Sequence, residues 1–207
     1  MLPDFGDLIK CPYCGEEKIL MSLMSGNTFG AEYWSDGKRI APSLPEVSFV
    51  QKCKHCGKYY VTSRQEVQTS DKYSSETGNL TYQEWKEAYC QFKEEGIDAE
   101  DMVGVKIRLV QAYNDYYHRN KNTTTPSDEE YRFIARILIN DIINCYNLED
   151  FLLLKAEFYR EANEMEKCKE VLAEYAQNGI ENEYAKFYRD LKDRVERGDN
   201  IVFRREM

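Results

Sequence analysis

The sequence predicts a two-part chain: a small antiparallel β unit, followed by an all-α helical-repeat domain. Three observations carry this. Four of the seven cysteines form two Cys-x-x-Cys pairs before residue 60, and four of the five prolines lie there too. The charges divide unevenly: residues 1–66 hold eight basic and eight acidic side chains and the remainder 20 and 29, so the net charge of −9 arises wholly in the second part. From residue 81 onward, apolar residues recur at helical spacing between capping signals.

The expected boundaries are a β unit over 1–66, a linker over 67–80, a helical domain over 81–198 and a C-terminal tail over 199–207. The linker rests on Thr69 to Asn79, which is polar and poor in aliphatic residues. With 31% charged and 42% apolar residues, the 207-residue chain excludes a collagen-like repeat, wholesale disorder and a membrane span. Met1-Leu2-Pro3-Asp4-Phe5 has no basic stretch leading into an apolar segment. A signal peptide is therefore not expected, and the expected compartment is the reducing cytoplasm, where clustered cysteines mean metal more often than disulfides.

Cys11-Pro12-Tyr13-Cys14-Gly15 and Cys53-Lys54-His55-Cys56-Gly57 carry the strongest chemical signal. A two-residue spacer lets both thiolates of a turn face one cation, and the following Gly can take positive φ while backbone N–H groups approach the sulfurs. Cys11, Cys14, Cys53 and Cys56 would supply the closed tetrahedral set of one structural Zn²⁺. A pair of redox motifs fits less well, because a thioredoxin-like Cys-x-x-Cys opens a helix in a βαβ setting and none is visible. His55 lies between ligands, but four cysteines already complete the set.

These residues resemble the zinc ribbon family, in which two such knuckles on separate hairpins clamp one Zn²⁺ beside a small antiparallel sheet. The resemblance covers about residues 9–62. It departs from the family in the 38 residues between Cys14 and Cys53, against about 15–20 in the compact pattern. Doubling a loop costs only about 0.6 kcal/mol, so the site tolerates the insertion. The insertion reads as strands: residues 18–24, a hairpin turning at Asp36-Gly37 between Phe29–Trp34 and Arg39–Ala41, and Val47–Val50 leading into the second knuckle, with Tyr59-Tyr60-Val61 leaving it. The stretch from Ser25-Gly26-Asn27 through Tyr33-Trp34-Ser35-Asp36-Gly37-Lys38 to Pro42-Ser43-Leu44-Pro45 resembles a segment of bacterial zinc ribbon proteins to which no activity is assigned.

Within it, Tyr33, Trp34, Lys38 and Arg39 are candidate partner contacts, since exposed aromatics beside basic side chains can stack on a base or anchor a protein. The competing reading makes Trp34 the lid of a small sheet. Nucleic-acid binding is the alternative function for the β unit. Lys52, Lys54 and Lys58 form a basic spot, but a unit of zero formal charge beside one of −9 lacks the footprint that phosphate binding needs.

In the second part, Thr81-x-x-Glu84, Asp98-x-x-Asp101, Ser127-x-x-Glu130 and Asn147-x-x-Asp150 read as helix starts. Six amphipathic helices follow, with apolar faces such as Tyr82, Trp85, Tyr89 and Phe92, or Phe187, Leu191 and Val195. Cys90, Cys145 and Cys168 fall inside these helices and are expected to pack as buried free thiols. The pair from Asp150 to Gln177 resembles a tetratricopeptide repeat, with Leu152, Ala156, Tyr159, Cys168 and Leu172 at packing positions, Asn163 where the family has Gly and Lys155 where it has Leu. A weaker match begins at Trp85, 67 residues before Leu152, close to twice the roughly 34-residue period. The resemblance implies a concave surface for a protein or peptide partner.

Enzyme machinery is not legible. No phosphate-binding Gly loop or Gly-x-Ser-x-Gly elbow occurs, only two His are present, and the clustered acids sit at helix starts where capping accounts for them. The reading is a cytoplasmic, non-enzymatic adaptor with a structural zinc and a helical partner surface.

Overall fold

The computed structural model describes residues 2–119, 124–144, 151–179 and 183–206. Strands β1 (Leu2–Lys10), β2 (Glu17–Ser25), β3 (Glu32–Trp34), β4 (Arg39–Ile40), β5 (Val50–Lys52), β6 (Tyr59–Val61) and β7 (Gln68–Tyr73) come first. Helices α1 (Tyr82–Glu95), α2 (Ala99–Asn114), α3 (Asp128–Arg136), α4 (Leu152–Glu161), α5 (Met165–Gln177) and α6 (Ala185–Glu196) follow, and β8 (Arg204–Arg205) ends the chain. The expected order, antiparallel strands and then six helices, holds among the described residues. The chain divides into two compact units, Met1–Ala31 with Ile40–Val105, and Glu32–Arg39 with Lys106–Met207. The division thus falls within α2 rather than at residues 67–80.

In the first unit, β1 pairs with β2 and β7 in an antiparallel sheet of order β2-β1-β7, and β5 pairs with β6 in a second hairpin. Ile9, Leu20 and Tyr60 are buried together with Cys11 and Cys53, so one apolar cluster of this unit includes two of the four cysteines. The segment expected to be a linker is part of the sheet. Strand β7 pairs Leu8 with Gln68 and Asp7 with Thr69, and Tyr73 stacks on Phe5 at 4.8 Å. Its side chains are mostly exposed, so its sequence lacks the alternation that marks a half-buried strand; backbone hydrogen bonding to β1 makes it one.

Residues 74–78 are stitched to the same unit. Ser74 Oγ donates to the Ile19 carbonyl at 2.9 Å, Met21 N–H to Glu76 O at 2.8 Å and Ser48 N–H to Thr77 O at 2.9 Å. Buried Gln51 donates to Ser48 O at 2.7 Å and accepts from Lys18 Nζ at 2.7 Å. Gly78 lies over this amide at φ 66°, where a Cβ would come within 1.9 Å of Gln51 Oε1. Helix α1 then begins with a full capping box between Thr81 and Glu84 and packs Trp85 against Phe49, ring centroids 6.0 Å apart. The weaker repeat match at Trp85 therefore falls on a helix whose buried face meets the β unit. The Asp98 and Ser127 caps form as expected, accepting from the N–H groups of Asp101 and Glu130. The Asn147 cap lies outside the described residues.

In the second unit, Leu152, Leu153 and Ala156 of α4, Cys168, Val171 and Leu172 of α5, and Phe187, Leu191 and Val195 of α6 share one core with Phe203. Ala156 and Cys168 are fully buried. Asn163, between α4 and α5, has φ 61°, and among the described residues it is the one non-glycine in the left-handed region. That conformation accounts for Asn in a position where Gly would also serve, since a short polar side chain tolerates it best after Gly. Helix α3 continues as a π-helical stretch, Ile137–Ile143, with Ile137, Leu138, Ile142 and Ile143 buried.

The expected Asp36-Gly37 turn joins β3 to β4, with Gly37 at φ 79°. The residues expected to form a C-terminal tail are structural. Strand β8 pairs Arg205 with Tyr33 and Arg204 with Trp34, while Val202 and Phe203 are buried. Arg160 holds this segment: its buried guanidinium makes a two-pronged pair with buried Glu157 at 2.6 and 2.7 Å and donates to the Asp199 and Ile201 carbonyls at 2.5 and 3.0 Å. Three apolar residues, Ile201 to Phe203, are too few to show a period in the sequence, so burial of Val202 and Phe203 together with these polar partners orders the segment.

A second buried polar chain runs through Asp36, which pairs with Arg119 and accepts from Asn114 Nδ2 at 3.0 Å; the same Nδ2 donates to Glu161 Oε2 at 2.8 Å. Burial, reinforced by the charges of Glu157 and Asp36, pushes the Glu161 carboxyl well above its ordinary value. A carboxyl that holds its proton more tightly folded than unfolded supports the fold in acid and loses that support as pH rises toward its folded value. Glu161→Gln keeps an acceptor for Asn114 and removes the charge. It is expected to raise the urea midpoint at neutral pH by the equivalent of about 1–2 kcal/mol, with the gain shrinking as pH falls through the ordinary carboxylate range. Gly78→Ala combines a left-handed backbone with a clash on buried Gln51, and equilibrium denaturation is expected to register a loss of at least about 2 kcal/mol.

Candidate metal centre

Two tight turns build the centre, one at the tip of each hairpin. Cys11 to Gly15 links β1 to β2, and Cys53 to Gly57 links β5 to β6. The turns repeat the same hydrogen bonds. Cys11 N–H donates to Glu16 O and Gly15 N–H to Cys11 O, both at 2.9 Å; Cys53 N–H donates to Lys58 O at 2.8 Å and Gly57 N–H to Cys53 O at 3.0 Å. Gly15 and Gly57 take φ 76° and 73°, the conformation their position after the second Cys requires.

The four sulfurs converge. Cys11 Sγ lies 3.7 Å from Cys56 Sγ, Cys14 Sγ lies 3.6 Å from Cys53 Sγ, and all four fall within 4.8 Å of one another. A metal–sulfur bond of about 2.3 Å places tetrahedral sulfurs about 3.8 Å apart, so the donor set fits one tetrahedral ion. Cys11, Cys14, Cys53 and Cys56, picked out by spacing alone, are brought together, with 11 and 53 buried and 14 and 56 exposed.

The turns also bias the sulfurs electrically. Burial opposes ionisation of Cys53, but hydrogen bonds from the backbone N–H groups of Cys56 and His55 and from the Cys14 and Cys56 thiols outweigh it and bring Cys53 down to about 6. Cys14 receives a favourable backbone hydrogen bond from Glu16, yet burial and three crowded sulfurs push it up to about 12. Protons still held by the sulfurs leave when a cation offsets the accumulating negative charge.

Helix α1 lines the centre with a single polar stripe that the sequence analysis did not pick out. Glu84 and Glu87 pair with Lys52 at 3.3 and 3.6 Å, Tyr59 Oη donates to Glu87 at 2.6 Å, Tyr13 Oη donates to Glu95 at 2.7 Å, and Lys58 pairs with Glu95 at 3.9 Å. Lys54 pairs with Glu76 at 3.1 Å. All three lysines of the basic spot therefore have acidic partners. The spacing of Glu84, Glu87, Gln91 and Glu95 is that of one helix face, which the sequence displays, but a polar stripe reads as solvated until something is known to face it. His55 is exposed.

The other candidates lie in the second unit. Tyr33 and Trp34 are half-buried on β3, the Trp34 ring lies 5.0 Å beneath the Arg119 guanidinium, Lys38 pairs with Asp115, and Arg39 is exposed. Cys168 is buried as expected, but Cys90 is exposed on the solvent side of α1, correcting the expectation of core packing; Cys145 lies outside the described residues. The apolar face of α1 runs through Trp85, Ala88, Tyr89 and Phe92, and Cys90 falls off it.

Comparison with known proteins finds no matching family, no matching curated protein and no matching solved structure. No helix among the described residues is long and apolar enough to cross a membrane. Because every sulfur must lose its proton to bind, metal affinity is expected to fall steeply as pH drops from neutral through about 6. A chelator-competition titration repeated across that range measures it, and an affinity independent of pH would contradict thiolate ligation.

Proposed function

We propose that the chain is a zinc-binding adaptor: a zinc ribbon holding one structural Zn²⁺, joined to a tetratricopeptide-like helical part that offers a protein or peptide partner its surface. The observation that carries the metal half is the convergence of four sulfurs from two hairpin tips at tetrahedral spacing. Soft thiolates in that arrangement favour Zn²⁺, and four protein ligands leave no coordination position for water or substrate, which supports a structural rather than catalytic ion. Coordination at the sulfurs would cross-link the two hairpins and add to the stability of the first unit.

Support for the helical half is the α4–α5 pair, which buries the small Ala156 and Cys168 and turns at the left-handed Asn163. The alternative, a nucleic-acid-associated ribbon, is weakened by the acidic partners of Lys52, Lys54 and Lys58, since paired lysines release fewer counterions on meeting phosphate.

Native mass spectrometry of the chain purified without chelator is expected to give one Zn²⁺ per molecule, and Cys11→Ser to lose both the metal and the folding cooperativity of the β unit. Metal-free protein with unchanged folding would overturn the ribbon reading. Strong, salt-dependent binding of single- or double-stranded nucleic acid to the full chain would favour the alternative over the adaptor.

A further inference from the structure

We propose that α1 is a clasp on the metal centre, with Gln91 and Glu95 as positioning residues that hold the two knuckles at ligand-binding distance, so that metal affinity and docking of α1 rise together. The inference rests on the metal-centre reading and adds to it residues that touch no sulfur.

The two knuckles belong to separate hairpins, and their chain connection runs through 38 intervening residues. Helix α1 joins them by a shorter route. Gln91 treats Tyr59 as a neighbouring strand would: its Oε1 accepts from Tyr59 N–H at 3.0 Å and its Nε2 donates to Tyr59 O at 2.8 Å. The second Nε2 hydrogen reaches across to the other knuckle, to Tyr13 Oη at 3.2 Å, and that hydroxyl in turn donates to Glu95 at 2.7 Å. Both hydrogens and the oxygen of the Gln91 amide are thereby used, split between the two knuckles. Tyr13 lies between Cys11 and Cys14, and Tyr59 lies three residues after Cys56.

A bridge of this kind fixes the separation of the two Cys-x-x-Cys turns before any ion binds. Hydrogen bonds made directly to metal ligands commonly carry a tenfold to hundredfold effect on metal affinity, because they pre-order the donor set; Gln91 and Glu95 act one step further out, through Tyr13 and Tyr59, which puts their effect at the lower end. Linkage makes the effect reciprocal: whatever α1 docking adds to metal binding, metal binding adds to α1 docking. A helix that only scaffolds the hairpins would instead change folding stability and leave the affinity of the folded protein alone.

The test is competition between the full chain and a chromophoric chelator for Zn²⁺, with release followed in time. The Gln91→Ala/Glu95→Ala double variant is expected to bind about tenfold more weakly, chiefly through faster release. Glu95→Gln, which keeps an acceptor for the Tyr13 hydroxyl, is expected to retain most of the affinity. Glu94→Ala, one residue off the stripe and exposed, is expected to match the wild type. Wild-type affinity and release rate in the double variant would overturn the clasp. Should the double variant not fold, Tyr13→Phe deletes only the hydroxyl that Gln91 and Glu95 share; weaker binding supports the proposal and unchanged binding overturns it. If the wild-type chain takes up no metal, the metal-centre reading fails and takes the clasp with it. If the wild type binds one ion and the variants bind it equally well, the clasp alone fails.

Discussion

Four sulfurs crowded within 4.8 Å of one another are an unfavourable arrangement unless something binds them together, and the first unit is organised around that constraint. Two hairpins present a pair of sulfurs each, and Ile9, Leu20 and Tyr60 are buried beside Cys11 and Cys53. The knuckle turns themselves are polar, so apolar burial elsewhere in the unit, at Val50, Val61, Trp85 and Phe92 among others, does not by itself order them. Cross-links of another kind must contribute, whether coordinate bonds at the sulfurs or the hydrogen bonds that tie residues 74–78 and α1 to the hairpins.

The charge distribution follows from the same constraint. Lys52, Lys54 and Lys58 surround the second knuckle, but each meets a carboxylate from α1 or from the segment after β7. These pairs are largely solvated, so each contributes little to stability. Their larger consequence is electrostatic and geometric. They remove the positive face that the lysines would otherwise display, and with Gln91 they set how α1 lies on the hairpins.

The second unit solves a different problem, that of ordering polar and irregular segments. The Asp36 turn and the C-terminal stretch bring little apolar surface of their own beyond Val202 and Phe203. They are fixed instead by buried charge: Arg160 with Glu157 and two carbonyls, and Asp36 with Arg119 and Asn114. Buried pairs of this sort add little net stability against an apolar equivalent, but removing one partner strands the other without solvent. They therefore select one arrangement of these segments.

Much of the chain was legible from local pattern. The four converging cysteines declared themselves through spacing, the glycines after them through position, the Asp36-Gly37 turn and the caps at Thr81, Asp98 and Ser127 through residue type, and the helices through apolar period. Each of these depends on residues within a few positions of one another, where sequence distance and spatial distance agree. Tertiary structure alone decided the rest. Polar β7 became a strand because β1 lay beside it, the expected tail became structural because Arg160 waited under it, and the acidic face of α1 found partners in Tyr13, Lys52, Lys58 and Tyr59 while staying partly solvated. A polar side chain has the same appearance in sequence whether its partner is solvent or a residue 80 positions away, such as Glu95 for Tyr13 at a separation of 82; only the fold supplies the partner.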